Sequence, residues 1–186
     1  ALGGDYLYAL TVGKLYAVDL RTFQTMGEAN SPGYVGAGGR RLRLFVGGDV
    51  AYAVHTRGYN TFNLNDPAHP VIIANGGTNQ FGWKQIVASG SGLGVAAVGP
   101  NSTNDGPHNV SLYDVSDPAQ TNVFLTEFPT PGLAAAVSIY NGQAFVADSQ
   151  AGLQVINYLA YDNQGAAPTI SLSTNFAPGV AEEGQI

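Results

Sequence analysis

The chain has 186 residues, enough for one domain with a sizeable core, and 45% of them are aliphatic or aromatic, which separates it from disordered chains. Only 11% are charged and the formal net charge is −6, so neither a nucleic-acid groove nor an anionic membrane surface fits as partner, since both need clustered Lys and Arg. With no Cys, disulfides, thiolate metal sites and cysteine nucleophiles are excluded, and no apolar run reaches the length of a membrane-spanning helix.

In chain order, one unit recurs: a Gly turn, a short apolar strand, a second strand, an Asp/Asn turn and another strand. The first copy is Gly4-Asp5-Tyr6-Leu7-Tyr8-Ala9 followed by Leu15-Tyr16-Ala17-Val18-Asp19-Leu20. It opens just before a hairpin turn, so it is expected to lack its leading strand. Ser31-Pro32-Gly33 then announces the next unit. Arg40, Arg41 and Arg43 alternate with Leu42 and Leu44, the pattern of one strand with a charged outer side.

The second copy is Gly48-Asp49-Val50-Ala51-Tyr52-Ala53, then Thr61-Phe62-Asn63-Leu64-Asn65-Asp66-Pro67. His55 follows its first strand and His69 lies in the turn after it. Gly76-Gly77 takes the place of the Pro-Gly marker. The single tryptophan, Trp83, follows in Gln80-Phe81-Gly82-Trp83-Lys84; its indole suits either core packing or a flat platform for a sugar ring.

The third copy is Gly92-Leu93-Gly94-Val95-Ala96-Ala97, then Val110-Ser111-Leu112-Tyr113-Asp114-Val115-Ser116-Asp117-Pro118, with an extra loop at 100–108. Loops held by a rigid frame are where binding concentrates, so Asn101, Asp105 and His108 are candidate ligand contacts. Asn101, Thr103, Asp105 and Gly106 imitate the start of a calcium loop, but its closing twelfth position is Leu112, so no metal site is assigned. Asn101-Ser102-Thr103 and Asn109-Val110-Ser111 match the N-glycosylation pattern, which matters only in a secretory host.

The fourth copy runs from 133 through the Asn141-Gly142 turn, a strong hairpin signal, to Ala144-Phe145-Val146-Ala147-Asp148 and Leu153-Gln154-Val155-Ile156-Asn157-Tyr158, with an outer strand expected at 169–174. Asp148 ends a strand in the phase of His55, and a ring of such strand-end groups is a natural place for a ligand. Residues 180–186 stand in the phase of a leading strand.

The guide residues Gly4, Gly48, Gly92 and Gly142 lie 44, 44 and 50 apart, giving repeats at about 1–34, 35–77, 78–131 and 132–179. Units of this size with about four strands are propeller blades. The expected fold is an all-β propeller of four blade-like repeats, either a closed four-bladed ring, with 180–186 completing the first blade, or part of a larger ring. In the second case two apolar blade faces would invite self-association or further blades. Asp19, Asn63, Asp114 and Asn157 recur at one strand end as turn residues.

Ser111-Leu112-Tyr113-Asp114-Val115-Ser116-Asp117-Pro118 and Gly152-Leu153-Gln154-Val155-Ile156-Asn157 resemble the core of LVIVD-type repeats. The resemblance covers most of the chain, most closely the third and fourth repeats, and is partial in the first, where Asp19-Leu20-Arg21-Thr22 replaces the Asp-Val-Ser-Asp-Pro turn. It implies a propeller of a bacterial or archaeal surface or secreted protein, and it carries no catalytic residues.

No phosphate loop, dinucleotide fingerprint or serine-nucleophile elbow occurs, so no catalytic residue and no cofactor is assigned. The functional expectation is a recognition or scaffold module outside the cell, binding a protein or glycan through loops that include Trp83, His55, Asn101, Asp105, His108 and Asp148. The alternatives are the scaffold of a hydrolase or quinone-dependent dehydrogenase and a self-assembling structural unit. Leu15-Tyr16-Ala17-Val18-Asp19-Leu20 is similar to quinoprotein repeats, but the tryptophan-rich docking pattern of those propellers is missing.

Overall fold

The computed structural model describes residues 1–33, 43–99 and 108–162. They form antiparallel sheets in strict chain order. The first holds β1 (Leu2–Gly3), β2 (Tyr6–Thr11), β3 (Gly13–Asp19) and β4 (Thr25–Ser31); the second β5 (Leu44–Gly47), β6 (Val50–His55), β7 (Gly58–Asn63) and β8 (Val71–Gly77). The third holds β9 (Gln85–Ala88), β10 (Leu93–Val98), β11 (His108–Asp114) and β12 (Phe124–Thr130), and the fourth β13 (Ala136–Tyr140), β14 (Gln143–Ala147) and β15 (Leu153–Asn157). Each sheet is an up-and-down meander, as a propeller blade requires. The first blade does have a leading strand, contrary to expectation. It is the two-residue β1, and Tyr8 extends it by a reciprocal backbone pair with Ala1. The expected outer strand at 169–174 and the segment 180–186 lie outside the described residues, as do Arg40 and Arg41.

Turn chemistry sets the strand ends. Gly4 and Gly48, at φ 56° and 58°, and Asn141-Gly142, at 47° and 76°, occupy tight hairpin turns that need a positive φ. At the recurring strand end the Asp or Asn side chain accepts a backbone N–H two residues on: Arg21 to Asp19 (2.7 Å), Asn65 to Asn63 (2.7 Å), Ser116 to Asp114 (2.9 Å) and Leu159 to Asn157 (3.0 Å). One rung was not foreseen. The pairing register shifts between Ala17 and Val18, between Thr61 and Phe62, and between Leu112 and Tyr113, at the same place in three blades. The extra residue on the outer strand is Met26, Ile73 or Leu125, a β-bulge that bends the strand and adds twist.

The core lies between blades rather than within them. At the first joint Tyr8, Leu15 and Ala17 of the first blade bury against Ala51, Ala53, Phe62 and Leu64 of the second. Tyr52, Val54 and Tyr59 meet Trp83, Ile86, Ala96, Val98 and Tyr113 at the second joint, and Val95, Ala97, Val110 and Leu112 meet Ala134, Val137, Ala144 and Val146 at the third. Strand alternation explains this division, because odd and even positions face opposite neighbours. Hydroxyls seal the joints: Tyr8 donates to the Pro67 carbonyl (2.9 Å), and Thr61 donates to the Pro118 carbonyl (2.6 Å) of the matching turn one blade on.

Candidate functional site

One end of the array gathers the four described residues named as candidate ligand contacts. β6 ends at His55, β11 starts at His108, Asp148 follows β14, and Trp83 stands just before β9, whose start pairs with the end of β10. The link between the two central strands is one residue in the first blade (Val12), two in the second (Thr56 and Arg57) and five in the fourth (148–152), but nine in the third (99–107). The base of that long link is fastened: the Gly99 N–H donates to the Gly82 carbonyl at 3.1 Å, and the Lys84 ammonium donates to the carbonyls of Gly82 and Gly99. Asn101 and Asp105 belong to the link and lie outside the described residues.

Trp83 is buried, so the platform reading is corrected. Its ring sits in a file of six aromatics across the second joint: Phe45, Tyr52, Tyr59, Trp83, Tyr113 and Phe124, with successive centroids 5.0–6.1 Å apart. The indole Nε1–H donates to Thr78 Oγ1 at 2.8 Å. With tilted tyrosine rings packed 5.4 and 5.0 Å away and only 6% of the residue exposed, the indole offers no platform to a sugar.

His55 closes the first joint. Its ring lies beneath Gly33, where a Cβ would come within 2.7 Å of the imidazole, and its Nδ1 accepts the Arg57 N–H at 3.3 Å. Burial holds the imidazole below its ordinary range, against a smaller upward pull from a hydrogen bond with the Gly76 backbone. His108 is not a loop residue. It is the buried first residue of β11, on the side of that strand that packs on the fourth blade with Val110 and Leu112. His55 and His108 therefore belong to different joints and are not brought together.

Asp148 shares the third joint with His108. Its carboxylate is fully buried and accepts the Gly132 N–H through Oδ2 at 2.8 Å, while Oδ1 has no partner. Thr130 Oγ1 donates within the same corner, to the carbonyl of His108 at 3.3 Å. The Pro32-Gly33 and Pro131-Gly132 linkers thus cross the ends of the blades they introduce, one over His55 and the other onto Asp148.

A polar chain on this end escaped the sequence reading. The Tyr113 hydroxyl donates to Gln80 Oε1 (2.7 Å), Gln80 Nε2 donates to Glu127 Oε2 (2.8 Å), and Asn109 Nδ2 donates to the same oxygen (3.0 Å). Burial pushes the Tyr113 hydroxyl up to about 12. Gln80 and Glu127 are 47 positions apart, so no local motif could have linked them. Among the described residues no group of three or more His, Asp or Glu is placed to hold a metal ion.

A concavity of about 290 Å³ opens at the opposite end between the first two blades, lined among others by Asp5, Tyr6, Val46, Asp49 and Pro67.

No protein-family model matches the chain, and no curated protein matches its sequence. Among solved structures it is similar to the computationally designed Ika4 protein, with a TM-score of 0.55 and 9% identity over 84% of this chain and 87% of that one. It is also similar to the N-terminal domain of Nup159 (TM-score 0.46, 11% identity, 81% of this chain and 37% of that one) and to BamB from Moraxella catarrhalis (0.43, 13%, 83% and 56%). The chain therefore spans little more than a third of the Nup159 chain and just over half of BamB. At these identities the likeness is one of fold, and the fold, four radial antiparallel sheets with Ika4 as neighbour, is a β-propeller.

Proposed function

We propose that this propeller scaffold serves as a recognition module outside the cell, holding a protein ligand at the ring end that carries the 99–107 link. The observation that supports this reading is the contrast in link length between otherwise matching blades, nine residues against one, two and five, on a base fastened by Gly82, Lys84 and Gly99. A long loop on a rigid frame is the usual site of specificity in repeat folds. The extracellular setting and the assignment to LVIVD-type repeats rest on the resemblance carried by Ser111-Leu112-Tyr113-Asp114-Val115-Ser116-Asp117-Pro118 and Gly152-Leu153-Gln154-Val155-Ile156-Asn157. A protein is favoured over a glycan because the one indole that suited a sugar ring is enclosed by Tyr59 and Tyr113.

The test compares the chain with a variant in which Asn-Gly replaces residues 100–107, on a panel of displayed extracellular proteins and on a glycan array. Binding to a protein by the parent chain, lost in the shortened variant while its circular dichroism and unfolding midpoint hold, is the expected result. Protein binding that survives the shortening, or binding confined to glycans, overturns the reading.

A further inference from the structure

The three joints are built from two kinds of surface. Toward the following blade, each sheet turns one set of register positions: Tyr8, Leu15 and Ala17 in the first, Tyr52, Tyr59 and Thr61 in the second, and Val95, Val110 and Leu112 in the third. All nine are buried. The same positions in the fourth blade are Phe145, Leu153 and Val155, paired across β14 and β15. There Leu153 is 66% and Val155 53% exposed, where Val110 and Leu112 are wholly covered.

Toward the preceding blade the set is Val46, Ala51 and Phe62 in the second sheet and Ile139, Ala144 and Ile156 in the fourth, packed at the first and third joints. The first blade presents Leu2, Leu7 and Val18 at these positions, with Leu2 65% exposed. Thus, among the described residues, nothing packs on the forward face at one end of the array or on the backward face at the other. Among the described residues no apolar cluster joins the two.

We propose that these faces meet between copies: the forward face of the fourth blade of one molecule packs on the backward face of the first blade of another, repeating the joint the chain already makes three times. A forward face on a backward face is a heterologous contact, which closes into a ring or runs on as a filament. Propellers hold typically about four to eight blades, so two copies, each giving one face of either kind, close the ring at eight. The partner is a second copy of this chain, seated by continuity of register, and the inference is independent of the ligand proposed above.

Sedimentation equilibrium over a wide concentration range tests it. The chain is expected at twice its 19.3 kDa mass, with no larger species. Leu7→Glu alone, and Leu153→Glu with Val155→Glu, each leave one face unusable and are expected to be monomers. These side chains are exposed in the single chain, and an unchanged circular dichroism spectrum verifies that the variants fold. Mixed at high concentration, the two variants keep one intact forward face and one intact backward face, so a dimer with a single joint returns. A monomeric parent chain, open-ended growth, a variant that still dimerises alone, or a mixture that fails to associate each overturns the proposal.

Discussion

The buried carboxylate of Asp148 accepts the backbone N–H of Gly132 at 2.8 Å, across 16 positions of chain. Gly132 stands in the linker that enters the fourth blade, and its N–H has no strand partner there. A β-carbon on Gly132 would fall 2.2 Å from the Asp148 carbonyl oxygen, so linker and strand end are pressed together. The contact fixes where the fourth blade begins.

Asp148→Ala removes that acceptor and leaves a buried N–H unsatisfied, at a cost of about 1–3 kcal/mol. Asp148→Asn keeps an oxygen for Gly132 and loses less. Urea unfolding of the three proteins checks the order, and equal midpoints would show that the carboxylate does not hold the linker.

His55 gives the fold a pH dependence. Its imidazole is held below its ordinary range by burial, so the unfolded chain takes up a proton near pH 6.5 while the folded one stays neutral. The unfolded state binds more protons in that window, and stability falls as pH drops through it. The full contribution is present above about pH 7, and the loss levels off once the folded imidazole is also protonated. Thermal midpoints at pH 7.5 and pH 5 should differ, and His55→Gln should remove part of the difference. Asp66, whose carboxyl is lowered by its hydrogen bond to His69, acts only in stronger acid and does not blur the window.

Gly76 lies against the next blade so closely that a β-carbon would overlap Thr121, 1.3 Å from its Oγ1 and 2.5 Å from its Cβ. Gly76→Ala is expected to cost about 1–3 kcal/mol through forced displacement. Thr121→Gly clears both atoms, so the double substitution should cost less than the sum of the single ones, a coupling that chemical denaturation of the four-protein cycle measures.

Trp83→Phe deletes the bond to Thr78 Oγ1 and part of the ring volume in the aromatic file, for an expected loss of about 1–2 kcal/mol. Acrylamide should quench the single tryptophan only weakly in the folded chain and strongly in urea. Strong quenching without urea would show an exposed indole.

The repeat and its turns were legible because they rest on short-range chemistry. Gly48 beside Asp49, Asn141 beside Gly142, and the Asp or Asn that caps its own turn are all decided within a few residues. The joints are not local. Trp83 is enclosed by Tyr59 and Tyr113, 24 positions before it and 30 after it, and nothing in the Gln80-Phe81-Gly82-Trp83-Lys84 stretch separates an enclosed indole from an open one. His108 looked like part of the loop because Pro107 precedes it, yet it begins the strand and faces the fourth blade. Asp148 was picked out for its phase, but its bond to Gly132 depends on how the linker folds back. The outer-strand bulge left no mark beyond an apolar residue, Met26, Ile73 or Leu125, at matching places.

That bulge has a bearing on what the molecule avoids. A straight outer strand offers a stranger a regular row of N–H and C=O groups, and most β proteins guard such rows with Lys or Glu. Only 11% of this chain is charged, and it has two lysines in all. The shifted rung at Ala17, Thr61 and Leu112 kinks the exposed borders of three blades, so two molecules that collide border to border find their ladders out of step. Geometry supplies the insulation that charge provides elsewhere.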